Sequence, residues 1–309
     1  MNGLKEIKVK APATVSNVGP GFDLLGFALE EPGDELLVRR NGLGKIRLFN
    51  ESGCPLPLDP EMNIAAVAAR SLLREREAEE GFDLVFLRKI PPGSGVGSSA
   101  ASCVAAVVGV NALMDQPFDH DALLPYALEG EKQASGAAHA DNVAPSLLGG
   151  MTLIRSYDPL DIKHLPYPED LWCAVVHPEL QILTQESRKL IPEMVPLATA
   201  LQQNGNLAAL VAALATADYG LLSRAVQDYL AEPYRIKQVP DFKELKENAV
   251  EAGSLGCGLS GSGPSIFSLC RGRDMAQAQG QVMQDHFSVR GIASRIYLSP
   301  ISQAGCKIL

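Results

Sequence analysis

The sequence predicts an α+β protein organised as two domains, and three observations carry that reading. The chain has 309 residues, slightly more than one hydrophobic core usually serves, at ~250–300 residues. Strand-like and helix-like segments interleave in both halves, the pattern expected where helices pack on sheets. Pro159, Pro166 and Pro168 fall close together near the middle. They predict a boundary there, dividing the chain into 1–160 and 161–309.

Taken in order, Ile7–Ala11 alternates apolar and charged residues and predicts a strand, as do Glu35–Arg40 and Ile46–Phe49. Asn63 is a good N-cap, and Ile64, Val67, Ala68 and Leu72 share one helical face, so a helix opens there; a charged tail, Arg74–Glu80, runs to Gly81. Phe82–Arg88 predicts a strand, Pro91–Ser99 a Gly/Ser-rich loop, and the Ala/Val-rich run to Met114 a helix. A further helix is expected over Asp121–Ala134. Beyond the prolines, Leu171–His177 predicts a strand and helices follow to about Leu230. A helix over Phe242–Ala252, short strands Leu255–Ser260 and Ser265–Cys270 about a Gly-rich turn, a helix Met275–Phe287 and a strand Ser294–Leu298 complete the pattern.

Hydrophobic residues make up 46% of the chain and charged ones 20%, which excludes a disordered polypeptide. A net charge of −9 argues against nucleic-acid binding, which needs a basic surface; an anionic ligand must meet positive surroundings built locally. Six scattered cysteines without a C-x-x-C pair offer neither a disulfide scaffold nor a zinc motif and fit a reducing compartment. The start, Met1–Lys8, is charged and lacks a signal-peptide apolar run. The longest apolar stretch, Ala100–Met114, is interrupted by Ser102, Gly109 and Asn111 and is shorter than the ~20 residues that span a bilayer. A cytoplasmic protein without a membrane partner is expected.

The sharpest local feature is the segment Pro91, Pro92, Gly93, Ser94, Gly95, Val96, Gly97, Ser98, Ser99, Ala100, Ala101. It lies between a predicted strand and a predicted helix. Alternate glycines let backbone N–H groups converge, the helix N-terminus adds partial positive charge, and Ser98 and Ser99 add hydroxyls. Together these make a phosphate cradle that needs no basic protein; the alternative is a helix-capping glycine turn. The loop lacks the G-x-x-x-x-G-K-[ST] pattern. A literal G-x-G-x-x-G does occur at Gly256–Gly261, but it leads to a strand-like run where a dinucleotide loop opens a helix, so an oxidoreductase reading is poorly supported.

The loop resembles the central signature of the GHMP kinases, a family that includes galactokinase, homoserine kinase, mevalonate kinase and phosphomevalonate kinase. Ala11–Gly26 resembles the family's first motif and Gly258–Ser265 its third, while His139–Pro145 is similar to the form found in the homoserine-phosphorylating branch. The resemblance spans the chain from Ala11 onward. It implies the two-domain GHMP kinase fold, with a ribosomal protein S5 domain 2-like N-terminal domain and a ferredoxin-like C-terminal domain. It implies ATP-dependent phosphorylation of the side-chain hydroxyl of L-homoserine, in threonine biosynthesis. Another small-molecule kinase of mevalonate type, or a non-catalytic sensor on the same fold, are the alternatives. Family members are often dimers, so a homodimer is compatible with the resemblance.

By that resemblance the substrate is held by Asn17, Asp23, His139, Asp141, Thr184, Arg188 and Arg235. The types suit a zwitterion: carboxylates for its ammonium, guanidinium forks for its carboxylate. Read alone, Asn17 and Asp23 could cap a turn, His139 could be a core histidine, and the arginines could be surface charges. The nucleotide lies by resemblance along Asn63 and the loop Pro91–Ala101, with Mg²⁺ on Ser98 or Ser99 and Glu131. Asp141, Asn142 and Arg188 are the positions nearest the reaction. Where mevalonate kinases carry an aspartate base, counting back from Gly149-Gly150 reaches Asn142, and an amide is not a base. Either Asp141 reaches the hydroxyl, or no side chain takes the proton early; the second is favoured, with Asp141 a binding residue.

Overall fold

The computed structural model describes residues 5–136 and 138–309; the first four residues of the charged start lie outside the described residues. The N-terminal half runs β1 (Glu6–Ser16), β2 (Leu25–Arg40), β3 (Arg47–Asn50), α1 (Ile64–Glu75), β4 (Phe82–Arg88) and α2 (Ser98–Leu113). After a 3₁₀ turn come α3 (Leu124–Ser135), α4 (Ala140–Leu148), β5 (Met151–Tyr157) and β6 (Leu160–Leu165). The rest is β7 (Leu171–Pro178), α5 (Thr184–Lys189), α6 (Leu197–Thr216), α7 (Tyr219–Ala225), α8 (Glu232–Arg235), α9 (Phe242–Glu251), β8 (Gly256–Leu259), β9 (Ile266–Arg271), α10 (Arg273–Ser288), β10 (Ser294–Pro300) and β11 (Lys307–Ile308).

The first sheet has the order β11-β1-β2-β4-β3, with β5 paired to the start of β2 and β6 to β5. Its register with β1 shifts between Pro12 and Thr14, a break of the kind that bends a strand and re-aims its side chains. Helix α2 packs on β1 and β2 beneath α1, α3 and α4. It is buried on nearly every side, which explains its uniformly apolar sequence: it is a central core helix. Among the described residues no helix is long and apolar enough to cross a membrane.

The second sheet, β10-β7-β9-β8, is antiparallel. Period-two alternation splits its strands between two cores. Ala174, Val176 and Ile266 pack with Phe242, Leu245, Met283 and Phe287 of α9 and α10. Cys173, Val175, Phe267 and Leu269 join α6, α7 and the main N-terminal core. The two sheets are further stitched by Ser302 N–H to Ala28 O at 2.9 Å and Gly150 N–H to Ser302 O at 2.7 Å.

Several expected elements extend or shift. Asn63 is the α1 N-cap, accepting from Ala65 N–H, but the charged tail leaves the helix at Glu75. The helix expected from Asp121 starts as a 3₁₀ turn, His120–Leu123, and Pro125 sits in the first turn of α3. The boundary expected at 160/161 would cut the β5–β6 hairpin, in which Met151 pairs with Leu165. Prolines also sit at hairpin turns, and Pro159 does so here. The β5–β6 hairpin, α4, α8 and β11 were not expected from sequence.

Candidate active site

The phosphate-type loop lies between β4 and α2, and Gly93, Gly95 and Gly97 all adopt left-handed backbone, with φ of 72°, 79° and 67°. The loop after β8 closes on it from the second sheet. Ser260 Oγ donates to Gly95 O at 2.7 Å and Ser265 Oγ donates to Ser94 O. These bonds hold the loop's carbonyls toward the second sheet, so the N–H groups of the same trans peptides turn the other way. Contact is close enough that a Cβ added at Gly95 would lie 2.7 Å from Gly263 O and 2.8 Å from Ser260 O. Gly95→Ala is therefore expected to separate the two loops, costing about 1–3 kcal/mol of strain and raising the KM for ATP by about tenfold. Thermal melts and ATP-dependent turnover check it.

Behind the loop sits a buried brace that the motifs did not reveal. Lys89 and Asp34 form an ion pair at 3.1 Å, with side chains 6% and 0% exposed. Asp34 also accepts from Ile90 N–H at 2.7 Å and Ser102 Oγ at 2.6 Å. Lys89 Nζ donates to Ser98 O at 2.9 Å and to Ser98 Oγ. A buried pair is tolerated only when its remaining hydrogen bonds are met in this way. The available signal was positional: a lysine directly after a strand and directly before Ile90-Pro91-Pro92-Gly93.

Between the two sheets opens a cleft of about 520 Å³. Its wall combines an apolar part, Pro55, Leu56, Pro57, Met62, Ile64 and Phe86, with the phosphate-type loop and a set of charged groups. Most of the predicted residues meet here: Asn17, Asp23, Asn63, Pro92, Gly93, Ser94, Gly95, Gly97, Ser98, Ser99, Glu131, His139, Asp141, Asn142, Thr184 and Arg235 line it. Pro91, Val96, Ala100 and Ala101 are not on its wall, and the last three are buried under the loop. Arg188 is also off the wall and reaches the site through Asp23, its Nη1 donating to Oδ2 at 2.6 Å. The Asn63 side chain is largely committed to local structure, accepting from Ala65 N–H at 3.0 Å and donating to Pro57 O at 2.7 Å.

The charged part is shaped by backbone that other residues hold in place. Asp23 has φ of 58°, a left-handed conformation uncommon outside glycine. Its N–H donates to Asn17 Oδ1 at 3.1 Å, and its carbonyl accepts from Tyr157 Oη at 2.8 Å. Asn17 Nδ2 and Arg235 Nη1 both donate to Gly261 O, at 2.8 and 3.1 Å. Phe22 lies against both guanidinium groups, 5.0 Å from Arg188 and 5.3 Å from Arg235, within the range of cation–π attraction. Thr184 Oγ1 is 3.3 Å from Ser262 Oγ.

Asp141, in the first turn of α4, is 2% exposed. Burial, together with the charges of Asp23 and Glu131, pushes its carboxyl up to about 7. His139 Nδ1 lies 3.5 Å from Glu131 Oε1. Burial opposes its charged form, but the Glu131 hydrogen bond and the Asp141 charge outweigh that and raise its pKa above the usual imidazole value. Arg235 is 4% exposed, and burial lowers its pKa from the usual guanidinium value. Asp141 Oδ1, Arg235 Nε and Ser94 Oγ are buried without a hydrogen-bond partner. Each such group is costly to leave unpaired. A carboxylate, a guanidinium and a loop hydroxyl lining one cleft thus present a built requirement for a ligand.

Comparison with known proteins gives this geometry a context. The family model described as GHMP kinases N terminal domain matches residues 63–150, and that described as GHMP kinases C terminal matches 210–289. A homoserine kinase of Chlorobium phaeobacteroides is 41% identical, over 99% of this chain and 100% of that protein.

The chain belongs to the GHMP kinase family.

A homoserine kinase of Pyrococcus abyssi is 37% identical over 94% of this chain and 96% of its own length. The crystal structure of homoserine kinase from Cytophaga hutchinsonii superposes with a TM-score of 0.96 at 43% identity, covering 100% of this chain and 99% of that one. L. major mevalonate kinase, solved with R-mevalonate, superposes at 0.73 with 17% identity over 96% of this chain and 97% of that one, and shares the fold. The GHMP kinase assignment makes the chain an enzyme of the phosphotransferase class. The G-x-G-x-x-G at Gly256–Gly261 runs from β8 into the turn that bonds the glycine loop after β4 and opens no helix.

Proposed function

We propose that this GHMP kinase transfers the γ-phosphoryl group of ATP to the side-chain hydroxyl of L-homoserine, forming O-phospho-L-homoserine for threonine biosynthesis. The observation that carries the reading is the pair of orphaned, buried, oppositely charged groups, Asp141 Oδ1 and Arg235 Nε, in the same cleft as the phosphate loop. An α-amino acid satisfies both: its ammonium meets Asp141 and Asp23, its carboxylate meets Arg235 and Arg188. Mevalonate has a carboxylate but no ammonium and would leave Asp141 unpaired. The names of the relatives agree with this choice.

The adenine base suits the apolar part formed by Pro55–Pro57, Met62 and Phe86, and the phosphates suit the loop's N–H groups and the start of α2. Mg²⁺ prefers oxygen donors and commonly takes one or two carboxylates plus substrate phosphates. Buried Glu131 and the hydroxyls of Ser98 and Ser99 line the cleft and fit that chemistry. When bound, the ion would neutralise charge on the phosphates. Ser98 Oγ gives its proton to Ile90 O at 2.8 Å and takes one from Lys89 Nζ, so it would have to release Lys89 to meet a second cation.

Asn142 cannot take a proton as a carboxylate does. The substrate's ammonium would favour ionised Asp141, which makes Asp141 its counter-charge. The loose transition state of phosphoryl transfer asks little activation of the nucleophile, and the hydroxyl proton passes to phosphate oxygen. The test is ADP formation with Mg-ATP across homoserine, serine, threonine, mevalonate and galactose. Turnover that depends on homoserine is expected; robust turnover only with mevalonate or a sugar would overturn the reading.

A further inference from the structure

We propose that Thr14 is a positioning residue for phosphoryl transfer, its hydroxyl holding the Asn142 carboxamide, and with it the acceptor part of the cleft, in register with the phosphate loop. The inference rests on the kinase reading above and adds a residue that reading does not use.

Thr14 is fully buried and follows the register break in β1. Its N–H donates to Val96 O at 3.1 Å, stitching β1 to the phosphate loop. Its side chain lies under Gly97, where an added Cβ would stand 2.0 Å from Thr14 Oγ1 and 3.0 Å from Asn142 Oδ1. Thr14 Oγ1 donates to Asn142 Oδ1 at 2.8 Å, and Asn142 Nδ2 donates to Ser16 Oγ at 2.8 Å. Ser16 lies two residues along the same strand and so on the same side.

Chemistry fixes the direction of this chain. A carboxamide NH₂ only donates and its oxygen only accepts, so Ser16 Oγ accepts from the amide of Asn142. The amide therefore turns its NH₂ toward Ser16 and its carbonyl toward Thr14, which donates. That carbonyl is covered by Thr14 and Gly97. Asn142, on the cleft wall, can then offer the reaction an N–H but no acceptor for the hydroxyl proton. Thr14 is bonded both to the loop that carries the phosphoryl donor and to the helix that carries the acceptor site. In-line transfer depends on that alignment: a displacement of ~1 Å can cost on the order of 100-fold in rate.

A hydroxyl that merely satisfies buried polar atoms would affect stability and leave kinetics alone, so the test reads both. Thr14→Val is near-isosteric and Thr14→Ser keeps the hydroxyl. For each, the melting temperature, kcat, both KM values and the partition of ATP between phosphorylated acceptor and inorganic phosphate are measured. Thr14→Val is expected to lower kcat by about 10–100-fold with the KM for ATP within about threefold, and to send a larger share of phosphate to water. Thr14→Ser is expected within about threefold of wild type. In an Asn142→Ala background, Thr14→Val is expected to add less than about twofold, because the two act as one unit. If Thr14→Val does not fold, Thr14→Ala is read in the same way. Wild-type kcat and partition in the folded variant, equal losses in Thr14→Ser, or an undiminished loss in the Asn142→Ala background would each overturn the proposal. If the wild type phosphorylates another acceptor and not homoserine, the substrate reading fails, and the Thr14 ratios are read on that acceptor.

Discussion

Replacing Asp141 by Asn is expected to raise the KM for homoserine by about 10–100-fold, the worth of one charge-assisted hydrogen bond, while kcat and the KM for ATP change by less than about threefold. The same variant is expected to be more stable than the wild type at about pH 8. The sign follows from the carboxyl's folded pKa of about 7 against an ordinary value of 3.8. A group raised in this way holds its proton more tightly in the folded protein than in the unfolded chain. Its contribution is most favourable below the ordinary value, is lost as pH rises from about 4 to about 7, and stays lost above that. The shift corresponds to a few kcal/mol, on the order of 1.4 per unit. Asn carries no charge to desolvate, so the melting-temperature gain should shrink toward about pH 4. Homoserine should raise the melting temperature of the wild type more than that of the variant, since the ligand's ammonium is what relieves the buried charge. A kcat loss of about 100-fold or more with unchanged homoserine KM would instead make Asp141 the base.

Arg235→Gln is expected to have the larger effect on binding. The guanidinium is 4% exposed, bonded to Gly261 O at 3.1 Å, and has an Nε without a partner. Truncating one side of a buried, hydrogen-bonded charge pair costs about 2–5 kcal/mol, so the KM for homoserine should rise on the order of 100-fold or more. An acceptor lacking the carboxylate, such as homoserinol, should be a poor substrate of the wild type and lose little further in the variant. That selectivity separates loss of a carboxylate contact from general damage to the cleft. Arg188→Gln should be milder, because Arg188 is bound to Asp23 at 2.6 Å with a side chain 45% exposed, where solvent weakens the pair.

What could be read in the sequence was what local chemistry repeats. Phe82–Arg88 is a short, largely apolar run rich in strand-favouring residues, bounded by Gly81 and the loop, and its limits match β4. Asn63 sits before an apolar helical face and caps α1. The glycine loop, the Gly19-Pro20-Gly21 turn and the third glycine run were visible because close backbone approach demands glycine at fixed spacing. Long-range features were invisible for an equally physical reason. The β5–β6 hairpin was hidden by Pro159, which suggested a linker. α4 was hidden by Pro145 inside it. β11 has two residues and exists through its pairing with β1. In the site, the substrate and loop residues inside motifs were legible, while Lys89, Asp34 and Tyr157 lie outside the motifs and Thr14, though inside the first, shows its role only through its partners; those partners lie up to 134 positions away.

On the proposed reading, one cleft brings the phosphate loop to an α-amino-acid acceptor. The most direct test is phosphorus NMR of the wild-type reaction with Mg-ATP and L-homoserine. The expected product is a phosphomonoester whose resonance is split by one methylene group, formed in step with ADP. ADP with inorganic phosphate alone, or a phosphomonoester that forms only when mevalonate or a sugar replaces homoserine, would contradict it.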